Sequence, residues 1–187
     1  MTGPGTYRES DGSRVDFATA KQAWAEAARP ALLRAASVYH GWISYGDLAE
    51  EVQTLSGIRT RALMHYWIGE VLGMVSHQCH ARGEPLLSSL CVDASGSVGP
   101  GYGTLLSEFD GPSVSEDLDT HAASERFKCY RYFGAELPTD GGRPALTPKL
   151  KASRERARQR SRAVPDRSLC PRCHVMLPLS GQCDFCD

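Results

Sequence analysis

The sequence predicts a mainly helical protein with one small β-hairpin, a basic linker and a short metal-clipped tail. Three observations predict it. Apolar residues recur at helical spacing from Phe17 to about Gly83. The Gly- and Ser-rich stretch "LLSSLCVDASGSVGPGYG" then breaks that pattern and reads as strand, turn and return strand. Four of the seven cysteines fall between Cys170 and Cys186, as two C-x2-C pairs. These features divide the chain into a disordered N-terminus (1–15), a helical body (16–135), a Pro/Gly-rich and basic linker (136–168) and a zinc ribbon (169–187).

Element by element, Asp16 is placed to cap a helix that starts at Phe17. Phe17, Ala20, Trp24, Ala27, Ala31, Ala35 and Val38 form its apolar face, Pro30 predicts a kink or break, and Gly41 a stop. Trp42 and Ile43 read as a short extended segment. Ser44, with Asp47 three residues on, reads as a capping box opening a second helix that buries Leu48, Ala49 and Val52. "TLSG" reads as a turn. A third helix is expected from Ile58 or Thr60 to Gly83, interrupted around Tyr66–Gly69. After the predicted hairpin, a last helix is expected over 115–133, packing through Leu118, Ala122, Phe127 and Tyr130.

The net charge of −1 conceals an asymmetry. Residues 1–142 hold 11 Lys/Arg against 18 Asp/Glu, whereas residues 143–187 hold 10 against 4. A basic segment beside an acidic body is suited to a polyanion, or serves as a solvated linker. No apolar run approaches the roughly 18–20 residues of a membrane span, and the polar N-terminus lacks the apolar stretch of a signal peptide. An odd number of cysteines, four of them at zinc-ligand spacing, suits a reducing compartment. A cytoplasmic protein is expected, associated with the nucleoid if it binds DNA.

The predicted order of helix, turn, helix and two-stranded hairpin is that of a winged helix, in which the second helix enters the major groove and the hairpin touches the backbone. "ISYGDLA", "RAL" at Arg61–Leu63 and "SGSVGPGY" together resemble the DNA-binding winged helix of the alkylguanine-DNA alkyltransferases and their alkyltransferase-like relatives, over about 60 of the 187 residues. The resemblance implies that Arg61 holds the place of the arginine with which that family pushes out a base. It also implies that Ser88 stands where the family has its alkyl-acceptor cysteine. No P-C-H-R motif is present, and a serine without an arranged base is a poor acceptor. Cys91, in an apolar stretch, reads as a small buried hydrophobe. Alkyl transfer is therefore rejected and DNA binding retained.

Arg59, Thr60, Arg61 and His65 are the candidate contacts on the presumed recognition helix, since the arginine fork suits guanine edges and phosphates. Ser97, Gly99, Gly101 and Tyr102 are the candidates on the wing, where glycine lets backbone approach phosphate. Lys149, Lys151, Arg154, Arg156, Arg158, Arg160 and Arg162 are the candidates on the tail, Arg154, Arg158 and Arg162 lying along one stripe if it is helical. His77 and His80 share a helix face and read as a polar helix end rather than half a metal site. No phosphate loop, nucleophile elbow or dinucleotide fingerprint occurs.

Cys170, Cys173, Cys183 and Cys186 form C-x2-C-x9-C-x2-C, the spacing of a four-thiolate structural Zn²⁺ site. Pro171 stiffens the first knuckle and Gly181 permits the return to the second. So short a segment buries no core, and the metal supplies its folding energy. The expected function is non-enzymatic DNA binding, with RNA a possible ligand. The alternative is a protein-interaction adaptor that docks through the zinc tail, for example to the transcription machinery. A third reading, an enzyme around His77 and His80, needs a cleft joining them to the wing.

Overall fold

The computed structural model describes residues 5–110, 117–163, 169–177, 182–183 and 185–186. Among these, six α-helices and four short strands form two compact units, Met1–Leu150 and Lys151–Asp187.

In the first unit, α1 (Phe17–Ala36) is the central helix. Asp16 caps it by accepting from the Thr19 amide at 3.1 Å. Its buried face is Ala20, Trp24, Ala28, Ala31, Leu32 and Ala36. The stripe therefore steps by four after Trp24, leaving Ala27 and Ala35 half-buried and Val38 exposed. Pro30 does not break the helix. It sits on the exposed side, where water can satisfy the carbonyl it leaves unbonded, and the turns on either side bury alanine and leucine in one core. The helix ends at Ser37 rather than at Gly41. Gly41 matters for space: a Cβ there would stand 2.3 Å from the Ala35 carbonyl oxygen.

Ser44 ends β2 (Ile43–Ser44) and caps α2 (Tyr45–Ser56), its hydroxyl accepting from the Asp47 amide at 3.1 Å and donating to the Asp47 carboxylate at 2.7 Å. Gly57, at φ +63°, stops α2 in the left-handed conformation. The third helix expected from Ile58 does not begin there. Ile58–Thr60 form β3, paired antiparallel with β1 (Thr6–Arg8), so part of the N-terminus expected to be disordered is a strand. Two β-branched residues favour extended backbone. The Trp24 indole donates to the Ile58 carbonyl at 3.0 Å and the Thr6 and Thr60 hydroxyls meet at 3.0 Å, which fixes the pairing. A 3₁₀ turn (Met64–Tyr66) leads into α3 (Ile68–Ala81). Trp67, at their junction, packs 4.4 Å from Trp24.

The expected hairpin is likewise replaced. Leu87–Leu90 form a 3₁₀ turn, and β4 (Cys91–Val92) pairs parallel with β2. "DASGS" is the expected turn, held by Asp93, whose carboxylate accepts from the Ser95 and Ser97 amides. The return strand is absent: Pro100 opens α4 (Pro100–Asp110) instead. Proline's fixed φ and missing N–H suit the first helical position, and remove a donor that a strand would need. The wing is thus a turn running into a helix. α5 (Leu118–Tyr132), capped by Asp117, buries Ala122 and Tyr130 as expected. Much of the expected linker also belongs to this unit. Leu137 packs on the core, Tyr39 bonds the Arg143 backbone, and Thr147 and Leu150 are buried.

α6 (Pro148–Ala163) spans the boundary between the two units. From Lys151 to Ser161 its side chains are exposed except Arg154, which is partly covered. No helix among the described residues is long and apolar enough to cross a membrane.

Candidate nucleic-acid interface and metal centre

A cavity of about 370 Å³ opens between α2, α3 and α4, with Tyr45, His65, Ser88, Gly99, Gly101 and Tyr102 in its wall beside the apolar Ile68, Leu72 and Leu105. Four sequence-predicted residues therefore meet here: His65, Gly99, Gly101 and Tyr102. Sequence reading missed Tyr45, although it lies in "ISYGDLA", because the position reads as the first turn of a helix. Its hydroxyl accepts from the Gly99 amide at 2.7 Å. Burial above all pushes its pKa up to about 12, so it remains a neutral phenol at physiological pH. A Cβ on Gly99 would lie 2.5 Å from that hydroxyl oxygen, which explains glycine there. Tyr102 is buried and bonds His121 Nδ1 at 3.1 Å.

Ser88 is buried at the cavity wall, 2.7 Å from the hydroxyl of Ser76. Ser76 is not a general base, so this pair holds Ser88 as an ordinary hydroxyl. Cys91 is fully buried, and loss of solvent raises its thiol pKa well above the usual value. It is a core residue, as expected.

The candidates before the cavity separate. Arg59 and Thr60 lie on β3 and do not lead a helix. The Arg59 guanidinium pairs with Glu50 at 2.7 Å and Glu9 at 3.3 Å, and also reaches the Thr54 hydroxyl. Thr60 is half-buried against Thr6. The expected recognition helix therefore does not begin with these two residues, because the strand pairing holds them extended. Arg61 is exposed just beyond β3, and His65 is exposed in the 3₁₀ turn at the cavity. Ser97 shapes the Asp93 turn through its amide and carbonyl. His77 and His80 both pack on the Phe109 ring of α4, with centroids at 5.1 and 4.3 Å. The groove beside His80 is lined by Glu84, His121 and Glu125 and includes none of Ser97–Tyr102. The cleft required by the enzyme reading is therefore not formed by that groove.

The root of α6 is built onto the Asp93 turn. Thr147, nearly fully buried, donates its hydroxyl to the Gly96 carbonyl at 2.8 Å. Lys149 donates to the Ala94 carbonyl, so this lysine is a clamp on the turn. Gly96 has φ +87°, and a Cβ on it would lie 2.2 Å from Thr147 Oγ1. The basic helix thus starts beside the turn whose next residues, Gly99 to Tyr102, line the cavity. From Lys149 onward α6 carries seven Lys/Arg against Glu155 alone. Lys151, Arg156, Arg158 and Arg160 are exposed. The side chain of Arg162 lies outside the described residues, as does Gly181.

The four tail cysteines come together as expected. Their sulfurs all lie within 4.8 Å of one another, and Cys173 and Cys183 are 3.5 Å apart. A tetrahedral Zn²⁺ with sulfurs at about 2.3 Å has S···S edges of about 3.8 Å, so one metal ion such as zinc fits with small adjustment. The first knuckle is closed by the His174 amide on the Cys170 carbonyl (2.9 Å) and the Cys170 amide on the Val175 carbonyl (2.8 Å). His174, at φ +57°, makes the turn and is not in the cluster. Amides of Cys173 and Arg172 pull the Cys170 pKa down to about 6. Hydrogen bonding with the Cys173 thiol, followed by loss of solvent and the thiols of Cys183 and Cys170, pushes Cys186 up to about 12. A bound cation would hold the raised Cys183 and Cys186 as thiolates. No protein-family model matches the chain, and neither does any curated protein or solved structure.

Proposed function

We propose that the protein binds DNA without catalysing a reaction, the cavity face of its body and the basic helix α6 each supplying contacts. The observation that carries this reading is the charge of α6, which holds seven Lys/Arg against Glu155 alone, with Lys151, Arg156, Arg158 and Arg160 exposed. The resemblance to the alkyltransferases adds support. Tyr45, Ser88 and Gly99–Tyr102 come from three separate parts of the motif set and line a single cavity. Ser88, paired only to a second hydroxyl among the described hydrogen bonds, fits binding without alkyl transfer. Arg61 and His65 replace Arg59 as the body's contacts, and Lys151, Arg156, Arg158 and Arg160 supply phosphate contacts with counterion release. Zinc, held by Cys170, Cys173, Cys183 and Cys186, acts structurally.

The test is a salt series with zinc-loaded protein and labelled duplex DNA. Replacing Arg156, Arg158 and Arg160 with Gln should weaken binding and lower the slope of log K against log salt by about 2.7, at about 0.9 per lost phosphate contact. Arg61→Ala with His65→Ala should weaken binding while changing the slope by about 1. Absence of binding at low salt overturns the reading and favours the adaptor, for which the exposed apolar side chains on the cysteine tail speak.

A further inference from the structure

The cysteine segment shows apolar side chains to solvent. Phe185 is 78% exposed and Leu169 and Met176 are each 57% exposed. Leu169 and Met176 face each other across an antiparallel bridge, so their side chains share one face of the first knuckle. Arg172 is exposed and reaches the carbonyl of Cys186, the residue after Phe185, at 3.4 Å. A cation is thereby held one residue from an open aromatic ring. Val175, 42% exposed, extends this small apolar face. One or two nucleobases need no more than that to stack.

Charge draws a polyanion to α6 and not to the knuckles, since residues 169–187 hold Arg172 against Asp184 and Asp187 and four thiolates around Zn²⁺ leave a net −2. The same unit, Lys151–Asp187, holds eight Lys/Arg against four Asp/Glu, six of the eight on α6. The six residues 164–169 between α6 and Cys170 span at most about 25 Å. A polyanion lying on α6 therefore brings its bases within reach of the knuckles. Paired bases are stacked on each other and offer no face, whereas unpaired bases do.

We propose that the zinc-clipped tail binds unpaired nucleotides of a single strand, with Phe185 as the stacking platform, Leu169 and Met176 as its apolar flank, Arg172 on the adjoining phosphate or base edge, and α6 following the backbone. This rests on the reading of α6 as a nucleic-acid grip.

The experiment uses the full zinc-loaded chain and three fluorescent probes: oligothymidylate, an abasic single strand of the same length, and a duplex. Phe185→Ala should weaken oligothymidylate binding about tenfold and leave the abasic strand and the duplex unchanged, with zinc content intact. Phe185→Trp should retain binding, and its added indole emission should be quenched by oligothymidylate but not by the abasic strand. Equal loss on all three probes, or no loss on oligothymidylate, overturns the proposal. A self-association that Phe185→Ala abolishes also overturns it, assigning the patch to a second copy. If duplex binding and its dependence on α6 persist while Phe185 is silent, only this proposal falls. If no probe binds, the DNA reading falls with it.

Discussion

Gly96→Ala tests whether the root of α6 is a built joint. Gly96 sits at φ +87°, where an L-residue costs about 1–2 kcal/mol. Its new Cβ would stand 2.2 Å from Thr147 Oγ1, so the Thr147 side chain must turn away and release the Gly96 carbonyl. Losing that buried bond adds about 1 kcal/mol, and more if the carbonyl stays dry. The expected total is about 2–4 kcal/mol, within the 5–15 kcal/mol that a domain commonly holds. Undocking the root offers a competing escape, at the expense of burying Leu150, about 2 kcal/mol. The body should therefore stay folded while amides near Thr147–Leu150 lose exchange protection. Thr147→Ala supplies the control, because it removes the oxygen and leaves a 3.2 Å approach to its Cβ. Urea unfolding of both single variants and the double should show the double less destabilised than the sum by about 1–2 kcal/mol. Additivity within about 0.5 kcal/mol, or a Gly96→Ala cost below about 1 kcal/mol, refutes the joint. DNA affinity should fall in Gly96→Ala even though no basic residue has changed.

Ser88→Cys should remain inert toward O6-alkylated guanine in DNA, since Ser76 gives the new thiol no base; transfer of label to the protein would overturn that. Zinc uptake must displace protons from Cys183, whose pKa is raised, and from Cys186, raised to about 12. These two protons alone make apparent affinity climb by at least about a hundredfold per pH unit near neutrality, lost again as pH falls, measured by chelator competition; a climb clearly below a hundredfold contradicts two displaced protons. Trp24→Phe should destabilise the body more than Trp67→Phe, by about 1–3 kcal/mol in urea unfolding. Trp24 forfeits its bond to Ile58, whereas the buried Trp67 N–H meets no acceptor among the described residues; equal costs would refute this.

The caps and the cysteine clip were legible because each is a local device. Asp16 and Ser44 satisfy amides within their own first turns, and four cysteines at fixed spacing suffice for a metal. The strand at Ile58–Thr60 was not legible, because its partner lies over fifty residues earlier, in a segment that composition marks as disordered. The missing wing has a similar cause. Glycines and a serine suggest a hairpin, yet Pro100 serves better as the first residue of a helix, and Gly99 is glycine because Tyr45 arrives from α2. The cavity was half legible: its motif residues could be named, but the Ser76–Ser88 pair and the Thr147 anchor are long-range contacts without a sequence pattern.

The charge on α6 bears on its own stability. Arg154 and Arg158, and Arg156 and Arg160, are i, i+4 neighbours with Glu155 the sole acid of the helix. Each such like-charged pair costs a few tenths of a kcal/mol, and an exposed polar helix buries no apolar face to offset it. What holds α6 is its root in the body, where Thr147 and Leu150 are buried. A polyanion reverses the sign of the charge term, since phosphates beside these arginines remove the repulsion. Helical circular dichroism should therefore rise when inorganic polyphosphate or duplex DNA is added at low salt. The rise should be larger in Gly96→Ala, whose helix starts less well anchored. A helix unchanged by polyanion would mean that the root alone sets its stability, and would leave the arginine stripes without a structural reason to favour phosphate.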